Sequence, residues 1–191
     1  MTTLRPFQKI RQQVTFCLIA VLSSTQVRSS AADVYLNGRG DGLNSGASYM
    51  AWAVPGSGDT VIVGANNPTG YTLNALPTGS SLSLNGFRVV AGATGTTTFQ
   101  AFNTTGTTTQ TLNIGSGGID MSQATQNLTL NQTNGNGTLA LNLTAAQNWL
   151  VGAGRTLTVN SNISGLGGLN LTTTGTGAIA TLAGVIWPIG E

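Results

Sequence analysis

The sequence has no histidine, a single cysteine and few charged residues, which make up 6% of its 191 positions. Without histidine, nucleophilic catalysis by a Ser-His or Cys-His pair is excluded. Helix formers such as Glu and Lys are scarce, whereas the abundant Thr and Val favour strands and Gly and Asn favour turns. Because 40% of the residues are hydrophobic, a packed core is expected rather than disorder. The composition therefore predicts one all-β domain.

The cysteine, Cys17, lies in an N-terminal segment that has the pattern of a secretory signal peptide. Basic residues at positions 5, 9 and 11 precede an apolar run at 14–22, and small residues follow at 29–32. This order is typical of a signal peptide, and the run is too short to span a bilayer. We predict a signal peptide over 1–32, cleaved after Ala31 or Ala32; the alternative is a buried N-terminal helix. The mature chain would then be exported and free of disulfides.

Removal of this segment reverses the sign of the net charge. Arg39, Arg88 and Arg155 are the basic residues that remain, against five acidic residues, which gives a formal charge of −2. Nucleic-acid binding requires a clustered basic patch. We therefore expect no nucleic-acid partner and, for lack of a further long apolar run, no integral membrane span in the mature chain.

Short segments with alternating apolar and hydroxyl residues follow one another from Asp59 onward, separated by Gly, Asn or Pro. Several of them are similar to each other: LSLN (82–85), LTLN (128–131), LALN (139–142) and LTVN (157–160), together with GSGGIDM (115–121) and GLGGLNL (165–171) at an offset of 50. Self-similar short strands are typical of repeat architectures. We predict that Leu, Ile and Val point inward, that Thr and Ser point outward, and that Asn stacks in ladders at the corners.

Two architectures fit such strands, a parallel β-solenoid and an antiparallel sandwich. Asn-Gly pairs, which favour hairpins, occur at 85–86, 134–135 and 136–137, but without regular spacing. The repeats therefore favour the solenoid. Rungs of about 22 residues would give roughly six rungs and a rod ~30 Å long, at ~4.8 Å per rung. The loop-rich segment 33–58 would cap it, with Trp52 over the open end of the first rung.

The segment GRTLTVNSNISGLGGLNLTTTGTGAI (154–179) resembles the bacterial autotransporter-associated β-strand repeat, and the similarity extends over most of 56–182. The resemblance implies a right-handed parallel β-helix over 59–191, in the passenger of a secreted or cell-surface protein associated with the outer membrane. It brings no catalytic, cofactor-binding or metal-binding residues. Where the repeat would continue, the sequence reads GVIWPIGE. We therefore expect a truncated or frameshifted C-terminus, or a piece of a longer passenger.

Catalytic carboxylates are not clustered in the sequence. Hydrolysis or lysis of polysaccharides on such a fold requires acidic residues close together, whereas Asp33, Asp41, Asp59 and Asp120 are dispersed. Asp59 precedes a strand, where capping is the ordinary role of an aspartate. We expect a structural scaffold or stalk and no enzyme, with no cofactor.

Two features suggest a binding function instead, as an adhesin or a carbohydrate-binding module. Arg39, Gly40 and Asp41 form a tripeptide that integrins recognise in animal matrix proteins, although Gly-Asp-Gly is also common turn chemistry. Trp149 would offer a stacking face to a sugar if it were exposed, but the alternation directs it to the same side as Val151. The candidate binding residues are thus Arg39, Gly40, Asp41 and Trp149, with core packing as the alternative for Trp149.

Overall fold

A computed structural model of the chain describes residues 31–39, 42–64, 66, 71–74, 76, 80–92, 94–101 and 107–187. The signal peptide predicted for 1–32 lies outside these residues except for its last two positions. The described chain is all-β apart from one 3-10 turn, Gly46–Ser48. No helix in these ranges is long and apolar enough to cross a membrane.

The strands are short, as the alternating segments predict, except where one strand runs through a corner. In chain order they are β1 Asp33–Tyr35, β2 Thr60–Val63, β3 Thr72–Asn74, β4 Ser81–Val89, β5 Thr96–Gln100, β6 Thr108–Met121, β7 Asn127–Asn131, β8 Thr133–Asn134, β9 Gly137–Leu143, β10 Gln147–Val151, β11 Thr156–Val159, β12 Asn162–Gly165, β13 Leu169–Thr173 and β14 Ile179–Leu182.

These strands stack as a parallel β-solenoid, which confirms the predicted fold class over the antiparallel sandwich. One sheet has the order β14-β11-β7-β5-β3, and every pairing in it is parallel. A single column of threonines runs through all five strands: Thr72, Thr98, Thr129, Thr158 and Thr181. The antiparallel pair of β8 and β9 is a small excursion at one corner.

The second sheet contains nine strands and supplies the other two strand positions of each turn from β4 onward; in the first turn it contributes β2, which pairs with β1 and with the second half of β4. β4 and β6 each run through both positions, with a register shift between Leu84 and Gly86. In the following turns the two positions are separate strands, β9 with β10 and then β12 with β13. Glycine is required at this corner, because Gly118 has a φ of 59° and a Cβ there would lie 2.2 Å from the Asn148 carbonyl oxygen.

The turns are longer and fewer than predicted. Successive steps along the threonine column run from position 72 to 98, from 98 to 129, from 129 to 158 and from 158 to 181, so the described chain forms about four turns. Only the last of these steps is close to the predicted rung length. The alternation within a strand indicates which residues face inward, but no regular sequence pattern indicates how long the loops between strands are. The estimate of six rungs was wrong for this reason.

The core and the ladders follow the predicted alternation. Leu157 and Val159 are buried, whereas Thr156 and Thr158 remain partly exposed. Each fully buried aliphatic side chain of this kind stabilises the fold by about 1.5–3 kcal/mol. The predicted asparagine ladders join residues of successive turns, with amide nitrogens donating to amide oxygens in three pairs: Asn142 to Asn113 at 2.8 Å, Asn160 to Asn131 at 3.2 Å and Asn170 to Asn148 at 3.0 Å.

The loop-rich N-terminal segment covers the first turn, but not through the residue that we expected. Its β1 pairs in parallel with β2, and Leu36 bridges to Tyr49. Leu36, Leu43 and Tyr49 are fully buried. Trp52 was wrongly predicted to cover this end: it lies in the turn after Tyr49, and the residue is 75% exposed. The covering aromatic residue is therefore Tyr49.

Candidate functional site

The carboxylates of the described chain hold local structure. The two oxygens of Asp59 accept hydrogen bonds from the amides of Ala32 at 3.1 Å and Gly56 at 2.8 Å. Asp120 accepts one from the Ser122 amide at 2.8 Å, and Asp33 forms an ion pair with Arg88. Within the described ranges no group of three His, Cys, Asp or Glu residues could hold a metal ion.

Trp149 is a core residue, which corrects its candidacy as a sugar platform. Its side chain is fully buried, and it pairs in register with Ile119 on one side and Leu171 on the other. The indole nitrogen donates a 2.7 Å hydrogen bond to Oε1 of Gln147. A ring without exposed surface offers no face to a ligand, so the packing alternative holds for this tryptophan.

A surface pocket of about 490 Å³ lies beside the N-terminal cap, at a place that the sequence did not indicate. The described residues that line it carry two amides, one guanidinium and three apolar side chains: Asn37, Asn66, Arg39, Ala47, Met50 and Trp52. Pockets of 300–1,000 Å³ with an apolar lining and a few polar groups are typical of small-ligand sites. This pocket is therefore the strongest candidate for a binding site in the described chain.

Asn37 fixes the geometry of the pocket. Its amide nitrogen donates to the carbonyl oxygens of Ala47 at 2.8 Å and Tyr49 at 3.3 Å, and its amide oxygen accepts from the Arg39 amide at 2.8 Å. The first two bonds join the segment after β1 to the 3-10 turn and the residue that follows it, and the third holds the backbone of Arg39 against Asn37. Since the side chain is already engaged with the backbone, its role is to position Arg39 and the segment that carries Trp52.

Trp52 is an exposed residue whose backbone adopts a strained, left-handed conformation. It is the one non-glycine residue with a positive φ in the described chain, at 55°. The left-handed region costs a residue with a Cβ roughly 1–2 kcal/mol. Gly46 supports this conformation, because any Cβ at position 46 would lie 2.5 Å from the Trp52 carbonyl oxygen. Strained residues of this kind are frequent at functional sites.

The three arginines that the structure describes differ in their partners. Arg88 pairs with Asp33, and Arg155 donates to the Thr125 carbonyl oxygen at 2.6 Å. Among the described residues, the Arg39 guanidinium has no hydrogen-bond or ion-pair partner. Gly40 and Asp41 lie outside the described residues, so recognition through the tripeptide stays a prediction.

The phenol of Tyr49 is buried in the cap and stays protonated. Burial, and next the proximity of Tyr71, raise the pKa of Tyr49 well above its ordinary value near 10. Its hydroxyl donates a 2.6 Å hydrogen bond to the Leu43 carbonyl oxygen. The group therefore acts as a buried hydrogen-bond donor of the cap.

A second pocket, of about 380 Å³, lies at the corner before β10 and β13. Two consecutive turns supply its lining: Ala146, Gln147 and Asn148, and above them Gly168, Leu169 and Asn170. Asn148 and Asn170 are bonded to each other, and Gln147 to the carbonyl oxygens of Ile114 and Ala145. The polar groups of this corner are thus part of the ladder between turns.

Comparison with known proteins adds no relative. No family model matches the chain, and neither the curated proteins nor the solved structures contain a match. The parallel β-solenoid therefore rests on the structure, and the resemblance to the autotransporter-associated repeat stays a prediction from the sequence.

Proposed function

We propose that this chain is an exported β-solenoid segment of a cell-surface or secreted, autotransporter-like protein, in which it acts as a scaffold or stalk without catalysis. The observation that supports this best is the unbroken threonine column from Thr72 to Thr181. Each turn provides the backbone partners of the next, so the fold extends along one axis without a central site.

The mechanical role follows from how successive turns are joined. Three kinds of contact connect each turn to its neighbour: parallel backbone pairing, inward apolar columns such as Phe99 on Leu130, and outward amide pairs such as Asn142 on Asn113. The backbone pairing and the apolar columns repeat from turn to turn, and the amide pairs are added in the later turns, so that a pull along the axis is distributed over several strands. A spacer between a cell surface and a more distal domain requires this property.

A deletion of one turn tests the scaffold. Leu130 and Val159 are register partners, so deletion of the segment 131–159 removes one complete turn and places β12 where β9 had been. We expect the shortened protein to fold and, on a cell surface, to be displayed as efficiently as the full chain. Deletion of 131–158 is the matched control, because it leaves Val159 directly after Leu130, so that two inward residues become adjacent and one excess residue interrupts the alternation at this corner. Equal folding of both variants would contradict the proposal.

Export is tested separately, on the signal-peptide pattern alone. Expression of the full chain in a Gram-negative host should give an exported product that begins at Ala32 or Asp33. The variant Leu18→Arg, which places a charge in the apolar run, should leave the product in the cytoplasm at full length. Retention of the N-terminal segment on an exported wild-type product would contradict the cleavage.

A second candidate function is a carbohydrate-binding module or adhesin, which the pocket beside the cap favours. Trp52 and Arg39 bring an exposed indole and an available cation to one cavity. Retention of the protein on a glycan array, lost in Trp52→Ala and kept in Trp187→Phe, would support this function. If the array retains neither the wild type nor the variants, the scaffold function alone remains.

A further inference from the structure

The pocket beside the cap combines three groups that select a ligand by different properties. Trp52, a residue that is 75% exposed, carries a broad flat apolar ring. Met50 extends the apolar lining, and Arg39 places a guanidinium at the same cavity. An open flat ring suits the flat side of a pyranose better than an aliphatic side chain, which gains most from complete enclosure.

The polar selectivity of the pocket comes mainly from Arg39. Asn37 is already engaged with backbone groups of the cap, so its amide is not available to orient a ligand. A guanidinium that forms no ion pair with another described residue can bind the two oxygens of a carboxylate in a bidentate geometry. No carboxylate among the described residues lines this cavity to compete for it.

We propose that this pocket binds a uronic acid residue of an acidic polysaccharide, with the pyranose ring on Trp52 and its carboxylate on Arg39. The inference rests on the second candidate function, the carbohydrate-binding module, and specifies its ligand. The strained φ of Trp52 and its support by Gly46 are then part of the site, since they hold the indole outside the core.

Intrinsic tryptophan fluorescence measures this binding directly. In a Trp187→Phe background the remaining tryptophans are Trp52, which is exposed, and Trp149, which is fully buried. Titration with a tetramer of galacturonic acid should quench the signal to saturation. The fully methyl-esterified tetramer is the matched ligand, because it keeps the sugar rings and removes the charge.

Three variants separate the contributions of Arg39 and Trp52 to binding from that of an arginine outside the pocket. A charge-assisted hydrogen bond contributes about 1.5–3 kcal/mol, so Arg39→Gln should weaken binding of the acidic tetramer by about 10- to 100-fold and leave the ester unaffected. Trp52→Ala in the wild-type background, followed by calorimetry, should abolish binding. Arg88→Gln removes a cation that lies outside this pocket and should leave the affinity unchanged. Thermal unfolding confirms that each variant is folded.

The experiments distinguish a wrong ligand assignment from a wrong carbohydrate-binding function. Equal affinity for the tetramer and its ester, unaltered by Arg39→Gln, would overturn the assignment of a uronic acid and leave a module for neutral sugars. Retention of only neutral glycans on the array would do the same. If an acidic peptide but no saccharide binds in a Trp52-dependent manner, both the inference and the carbohydrate-binding function are wrong. Absence of any binding also overturns both.

Discussion

The first and the last described turn of the solenoid differ in how far their residues are buried. Over the first turn, the cap residues Leu36, Leu43 and Tyr49 are buried. In the last described turn, Ile179 and Trp187 are 52% and 59% exposed, and the strands β13 and β14 contain no fully buried residue. A turn in the middle is stabilised from both sides, whereas a terminal turn requires a cap for the same effect.

The two ends also differ in charge. At the first turn, Asp33 forms an ion pair with Arg88 of β4. The carboxylate of Asp59 accepts hydrogen bonds from the backbone amides of Ala32 and Gly56. No residue from Thr156 to Trp187 is ionisable. Edge strands are commonly protected by charged side chains or proline, and β14 has neither. We therefore expect the stability of the strands to decrease from the cap toward β14.

The largest effect is expected at the capped end, for Tyr49→Ala. This change removes a fully buried aromatic ring and its 2.6 Å hydrogen bond to the Leu43 carbonyl oxygen. Loss of a buried aromatic side chain costs about 3–5 kcal/mol. Chemical denaturation should show a decrease of this size in the free energy of unfolding. A decrease below about 1 kcal/mol would mean that the segment does not cap the first turn.

The capped end should also be sensitive to alkaline pH. The pKa of Tyr49 is raised in the folded state, above its value of about 10 in the unfolded chain. The unfolded state therefore loses this proton first, and the stability that Tyr49 contributes is complete below about pH 10 and decreases above it by up to about 1.4 kcal/mol per unit. Tyr49→Phe should reduce this dependence to that of the other tyrosines. A slope equal to that of the wild type would contradict the assignment.

Trp52 lies at the capped end but should not stabilise it. Because Trp52 is exposed and has a φ of 55°, Trp52→Gly removes strain of about 1 kcal/mol, offset in part by the entropy of glycine. We expect a melting temperature equal to or above that of the wild type, together with loss of ligand binding. A clear loss of stability would assign Trp52 to the cap rather than to a site.

At the open end, a comparable aromatic substitution should have the smallest effect. Trp187 is 59% exposed, and surface substitutions change stability by about 0.5 kcal/mol or less. Trp187→Ser is therefore expected to leave the unfolding midpoint nearly unchanged. A loss comparable to that of Tyr49→Ala would show that the last turn is covered in solution.

The fold was predictable from the sequence because alternation and corner residues are local signals. The alternation of Leu157, Thr158 and Val159 indicates which side chains point into the core. The Gly-Gly pair at 117–118 indicates a corner at which the backbones of successive turns approach closely. The number of turns was not predictable. Ile119 and Leu171 share one column through Trp149, whereas the match between GSGGIDM and GLGGLNL aligns Ile119 with Leu169 instead. Sequence similarity between corners therefore does not report the register of the strands.

Most of the candidate site could not be predicted from the sequence. Arg39 was among the proposed residues, but for a tripeptide whose other two members lie outside the described residues. Trp149 was proposed although its position in an alternating strand indicated burial. Trp52 lies outside the alternating segments, and this was the one sequence feature that indicated an exposed side chain. The strain at Trp52 and the engagement of Asn37 depend on long-range contacts, which no local pattern records.

Native-state hydrogen exchange along the chain tests the central claim, a solenoid that is closed at its first turn and open at its last described one. We predict the slowest exchange for amides in β6 and β7, protection of β2 that remains close to theirs, and a progressive loss through β11 to β14. Equal protection of β14 and β7, or faster exchange in β2 than in β14, would contradict the account.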